Sequence, residues 1–88
     1  MKKLIEVTEV EGEGFEALLG ESVMLFGLNY IYAGKLIGVN DRFVKLEDPK
    51  IVYETGPFNT SGYQDAQNLP SKEWYVQLSA IESYGKGK

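Results

Sequence analysis

YIYAGKLIGVNDRFVKLED, residues 30–48, decides the fold. In an extended chain Tyr30, Tyr32, Gly34, Leu36 and Gly38 share one side, and Ile31, Ala33, Lys35, Ile37 and Val39 share the other. Both sides are largely apolar, as in a strand covered on both faces for much of its length. Gly34 and Gly38 have no side chain to pack. They weaken a flat strand but let it bend sharply, as a small barrel requires. Asn40-Asp41 is turn chemistry, because both side chains can bond nearby backbone and tolerate left-handed dihedrals. Phe43, Val44 and Leu46 open the next strand. The reading is a mainly β fold: a small, bent, largely antiparallel barrel built on this hairpin.

Toward the N-terminus, Val23-Met24-Leu25-Phe26 reads as the first barrel strand, and Gly27-Leu28-Asn29 as its turn. Before it, Phe15 to Leu19 reads as a short helix with Phe15, Leu18 and Leu19 on one apolar face. Glu13 and Glu16 suit its dipole, and Gly20 suits its C-terminal cap. So short a helix needs the barrel to pack on. Residues 1–14 read as an acidic arm or a short edge strand.

Toward the C-terminus, Glu47-Asp48-Pro49-Lys50 interrupts the pattern. Pro49 cannot donate to a ladder, which places it at an edge or a bulge. Ile51-Val52-Tyr53 resumes a strand. Residues 54–72, rich in Gly, Pro, Asn and Ser, read as one long loop, and loops of that length are usually functional or mobile. Its Phe58, Tyr63 and Leu69 either pin it down or reach a partner. Trp74, Val76, Leu78 and Ala80 share one face of the next strand. Ile81 breaks that parity, predicting a sharp corner into a last short strand ending near Tyr84. Residues 85–88 read as a frayed tail. The domain proper is therefore 15–84.

At 88 residues this is one domain with a modest core, of a size often helped by self-association. Cysteine and histidine are both absent, which removes disulfides, thiolate metal sites and the commonest general base. No carboxylate, Lys, Ser or Tyr pairing at a recognisable catalytic spacing emerges, so a non-enzymatic protein without a cofactor or metal is expected. No apolar run approaches the roughly 20 residues that span a bilayer, and Glu6 ends any signal-peptide core before it begins. A cytoplasmic protein with no membrane partner is the expectation. The net charge of −4 is uneven: residues 1–21 set six glutamates against Lys2 and Lys3, while 22–88 balance. A strongly basic, phosphate-dominated nucleic-acid binder is disfavoured, although a base-stacking site for single strands is compatible with a neutral barrel.

The layout resembles the Sm-like (LSm) family and its bacterial Hfq branch over about residues 15–84. FEALLGESVMLF (15–26) looks like the family's N-terminal helix, capping glycine and first strand. YAGKLIGVND (32–41) resembles its glycine-bearing second strand and turn, and DRFVKL (41–46) is similar to the Asp-Gln-Phe-Val-x-Leu run of Hfq. YVQLSAIES (75–83) is similar to the last strand pair, with Ala80-Ile81 at the corner. The resemblance implies a strongly bent, five-stranded antiparallel SH3-like barrel capped by a short N-terminal helix. It also implies a homo-oligomeric ring of five to seven subunits that binds single-stranded RNA around its pore. Open terminal edges, each paired with a neighbour's, would support such a ring on sheet physics alone. Carried over, the RNA-binding positions are Asn40, Asp41, Arg42 and Phe43, with Ser79, Ala80 and Ile81. The chain departs from the family at the last corner, where Leu78 and Ser79 replace the Arg-Gly of Sm proteins and the Lys-His of Hfq. Val44 and Lys45 follow Phe43, where Sm proteins carry a base-binding Asn.

Each residue also has a plainer reading. Phe43 stacks on a base, or packs in the core or between subunits. Arg42, the one arginine, holds a phosphate or pairs with Asp41 or a neighbour's acid. Asp41 serves the turn more readily than a ligand, and Trp74 reads as core or interface. The acidic arm is a solvated surface, or a gate that repels nucleic acid from one ring face. The alternative function is a structural or protein-interaction ring without RNA binding, docking a partner through residues 56–71.

Overall fold

The computed structural model describes residues 12–88. The arm expected over 1–14 therefore lies outside the described residues except for its last three. Among the described residues six strands form one antiparallel sheet: β1 (Ser22–Gly27), β2 (Ile31–Val39), β3 (Phe43–Glu54), β4 (Asp65–Asn68), β5 (Glu73–Gln77) and β6 (Ile81–Lys86). The order is β4-β3-β2-β1-β6, and β5 pairs with β3. The small, mainly β antiparallel reading holds. No helix among the described residues is long and apolar enough to cross a membrane.

The packed side of the sheet gathers Val23 and Leu25 from β1, Leu36 from β2, Val44 and Leu46 from β3, and Val76 from β5. Leu25, Leu36, Val44 and Leu46 have no exposed surface. Each such side chain contributes roughly 1.5–3 kcal/mol by leaving water. Trp74, Leu78, Val39 and Ile81 pack around this cluster, as the alternating pattern of 74–78 required. On the opposite side Met24 pairs across strands with Ala33, and both are buried. That explains why β2 reads as apolar on both faces.

β3 is a single 12-residue strand where an interrupted one was expected. The interruption is real but local. Asp48 takes a left-handed φ of 52°, and two β3 residues, Asp48 and Pro49, oppose the single Gly34 of β2. This is a bulge, and it is where Pro49 was expected to sit. A Cβ on Gly34 would lie 3.1 Å from the Glu47 carbonyl oxygen and 3.2 Å from Leu46 Cβ, so a larger residue there would push β3 away by a few tenths of an ångström. The bulge also divides the strand between partners: Phe43–Glu47 pair with β5, and Lys50–Glu54 with β4.

Three expectations need correction. Residues 54–72 are not one loop, since Asp65–Asn68 form β4 and make six strands in place of five. β4 is polar and exposed except at Ala66, so it carries no hydrophobic period; backbone pairing to β3 holds it. The expected helix is one 3-10 turn, Glu16–Leu18. Phe15 and Leu18 pack on the core as expected, but Leu19 turns outward, 46% exposed. Gly20 then takes a φ of 85° and donates its N–H to the Leu36 carbonyl at 2.7 Å, ending the turn on β2. Finally, β6 runs two residues into the segment expected as a frayed tail. There the Gly87 N–H donates to the Ser22 carbonyl at 2.8 Å.

Candidate nucleic-acid interface

The hairpin turn at Asn40–Phe43 is built by one side chain. Asn40 Oδ1 accepts the N–H of Arg42 at 2.8 Å and of Phe43 at 2.9 Å. The Asn40 N–H donates to the Phe43 carbonyl at 3.0 Å. This is the Asx chemistry expected of the turn, supplied by Asn40 and not by Asp41. Asn40 thereby frames the site while Asp41 and Arg42 stand exposed beside it. Arg42 makes no ion pair with Asp41 or any other acid among the described residues.

A second 3-10 turn, Leu78–Ala80, makes the expected corner between β5 and β6. It meets the hairpin turn directly, because the Leu78 N–H donates to the Arg42 carbonyl at 2.8 Å. The two segments share a cleft of about 540 Å³ lined by Asp41, Arg42, Phe43, Gln77, Leu78 and Ser79. Asp41, Arg42, Phe43 and Ser79 are thus brought together. Ala80 and Ile81 sit behind the rim. The Ala80 carbonyl accepts the Leu28 N–H at 3.1 Å, and Ile81 packs against the core. Gly27 makes that junction fit: a Cβ there would lie 2.7 Å from the Tyr30 carbonyl and 3.1 Å from that of Ala80.

Sequence reasoning missed Gln77 and Leu78 as lining residues. The signal was the β3–β5 register, which sets Gln77 opposite Phe43. It also missed Tyr75, whose ring meets that of Phe43 edge-on at 5.0 Å and 81°. Phe43 is half-buried and Tyr75 is 56% exposed, so the pair continues the cleft as an aromatic strip on the outer side of β3 and β5. Lys45 lies on the same strip. Its amine is 3.2 Å from Glu73 and 5.6 Å from the centre of the Tyr75 ring. The hydrogen bond to Glu73 foremost, then the Glu73 charge and Tyr75, raises the Lys45 pKa above its ordinary value.

The cleft can therefore offer one cation, Arg42, beside one carboxylate, Asp41, with one partly open aromatic ring, the Gln77 amide and the Ser79 hydroxyl. That suits a weakly held, planar, singly charged unit better than a dense run of phosphates. Comparison of the chain with protein-family models, with curated proteins and with solved structures gives no match.

Proposed function

We propose that the chain is the subunit of a non-enzymatic Sm-like ring that binds single-stranded RNA weakly at the Arg42–Ser79 cleft. The bent sheet is read as the five-stranded barrel of that fold, with β4 as an addition along β3. The carrying observation is the Leu78-to-Arg42 backbone hydrogen bond, which brings the hairpin turn and the β5–β6 corner into one cleft. Two further features support the reading. Among the described residues β5 pairs only with β3, and β6 only with β1. Each therefore has an edge that a sister copy can complete. Arg42 is exposed with no acidic partner there, which leaves it available to a phosphate.

Native mass spectrometry tests the ring, and fluorescence anisotropy with short uridine and adenine homopolymers tests the site. Saturable micromolar binding is expected at low salt, weakening at moderate salt. Phe43→Ala should weaken it about 5- to 150-fold, the range that loss of one stacked base implies. Arg42→Ala should reduce the salt dependence. No binding by an intact ring removes the RNA reading. It would favour the protein-interaction ring, for which the 68% exposure of Phe58 in the β3–β4 loop is the motivating observation. A lone protomer at high concentration removes both.

A further inference from the structure

Away from the cleft, the β3–β4 loop (55–64) closes around the amine of Lys88. Nζ donates to the carbonyls of Thr55 and Pro57, the latter at 2.8 Å. The same nitrogen stands 5.8 Å from the centre of the Phe58 ring and 5.4 Å from that of Tyr63. Both rings are within the roughly 6 Å over which a cation is drawn to an aromatic face. One carbonyl beside a surface lysine would be unremarkable. Two carbonyls and two rings converging on one nitrogen supply the acceptors and the polarisable walls that an alkylammonium group requires.

We propose that this loop is a binding site for a primary alkylammonium group, filled in cis by Lys88 and open to a competing amine in trans. Two features separate a site from an incidental contact. The loop shapes itself without Lys88: the Thr60 hydroxyl and N–H both donate to the Pro57 carbonyl, at 2.8 and 3.2 Å, and the Thr55 hydroxyl donates to that of Gly56 at 3.0 Å. Gly56 and Gly62 take left-handed φ of 69° and 74° on either side of the Pro57–Thr60 turn. The cage is also open on one side, because Phe58 is 68% exposed. Gly87 leads the backbone to Lys88 through a narrow gap. A Cβ at residue 87 would lie 3.1 Å from the Tyr63 hydroxyl and 3.2 Å from Met24 Cγ, so a glycine lets the backbone pass between the loop and β1. The ligand class is defined by its cis occupant: an unbranched primary amine, either free or at the end of a lysine side chain. This proposal does not depend on the RNA reading.

The test is NMR titration of wild type and Lys88→Ala with n-butylammonium in one arm and with an acetylated, amidated Gly-Lys-Gly peptide in the other. In Lys88→Ala the Phe58 and Tyr63 ring protons should shift saturably at millimolar ligand. Wild type should need at least about tenfold more ligand, because its own lysine competes. Adding Phe58→Ala to Lys88→Ala should abolish the response. A response to both ligands supports a general alkylammonium site, and a response to the peptide alone supports a site for a partner's lysine. The proposal is overturned if Lys88→Ala gives no saturable shift or if wild type and variant respond alike. Collapse of the 55–64 loop in Lys88→Ala would overturn it equally, since the frame would then not exist without its cis occupant.

Discussion

The two connections that flank β3 are held by opposite means. The Asn40–Phe43 turn is satisfied from within four residues by the Asn40 side chain, and its link to the rest of the molecule is a backbone bond to Leu78. The 55–64 loop makes only small internal turns of its own. Its long-range tie is Lys88, 33 residues away from Thr55 in sequence, added to the β3–β4 pairing that holds its ends. β3 has the same asymmetry. Its first half lies between β2 and β5 in the main cluster, and its second lies between β2 and the four-residue β4. The first half of β3 carries Val44 and Leu46 into the main cluster and the second half does not, so the end beside the cleft is expected to be the stiffer of the two.

The largest expected effect compares one residue type at the two ends. Val44 is fully buried in the main cluster, and Val52 is 4% exposed outside it. Valine to alanine removes about two methylene equivalents, roughly 1.6 kcal/mol of transfer free energy, plus a cavity term that depends on how well the site collapses. Val44→Ala should cost about 2–3 kcal/mol in urea denaturation. Val52→Ala should cost closer to 1–1.5, because a short edge strand can settle into the space. Equal losses would mean that β3 is uniformly packed and that the asymmetry is only apparent.

A smaller effect is expected at the turn. Asn40→Ala takes away the acceptor of two backbone N–H groups, which are exposed enough for water to replace it in part. A loss of about 0.5–1.5 kcal/mol follows. Amide exchange should quicken at Arg42 and Phe43 and leave residues 57–63 unchanged. If the distant loop loosens as well, the two connections are coupled and the contrast between them fails.

That contrast also explains how far the sequence could be read. Where structure follows from neighbours in the chain, it was legible: the Asn40 turn, the bend at Gly34, the Pro49 bulge, and the corner where Ile81 breaks the parity of 74–80. No local rule brings Arg42, Phe43 and Ser79 together; the Sm-like resemblance named both segments, and their contact in one cleft is a finding of the structure. The illegible parts depend on tertiary partners. β4 is Asp-Ala-Gln-Asn, a polar run that becomes a strand only because the second half of β3 offers it a backbone edge. β3 continues through Asp48 because its N–H finds the Lys72 carbonyl at 2.9 Å, an interaction 24 residues away. Lys88 carries no signal at all in a Gly-Lys-Gly-Lys run, yet it closes the loop.

The smallest effect belongs to the one ion pair on the aromatic strip. Lys45 and Glu73 are partly exposed, so their attraction is screened and the pair adds little to stability. The sign of its pH dependence is nevertheless fixed. The folded state holds the Lys45 pKa above its unfolded value, so the contribution is complete below the ordinary lysine pKa of 10.5 and disappears as pH rises through the raised folded-state value. Glu73→Gln should therefore lower Tm slightly at neutral pH and low salt. The difference should vanish in molar salt and shrink as pH rises through the raised Lys45 value. The same variant releases Lys45 beside Phe43 and Tyr75, so any single-stranded RNA bound at the cleft should hold slightly tighter, with a steeper salt dependence. A drop in Tm that ignores salt would assign Glu73 a packing role at the edge of β5. The rigidity at this end of β3 would then owe more to its outer strip than to the core beneath it.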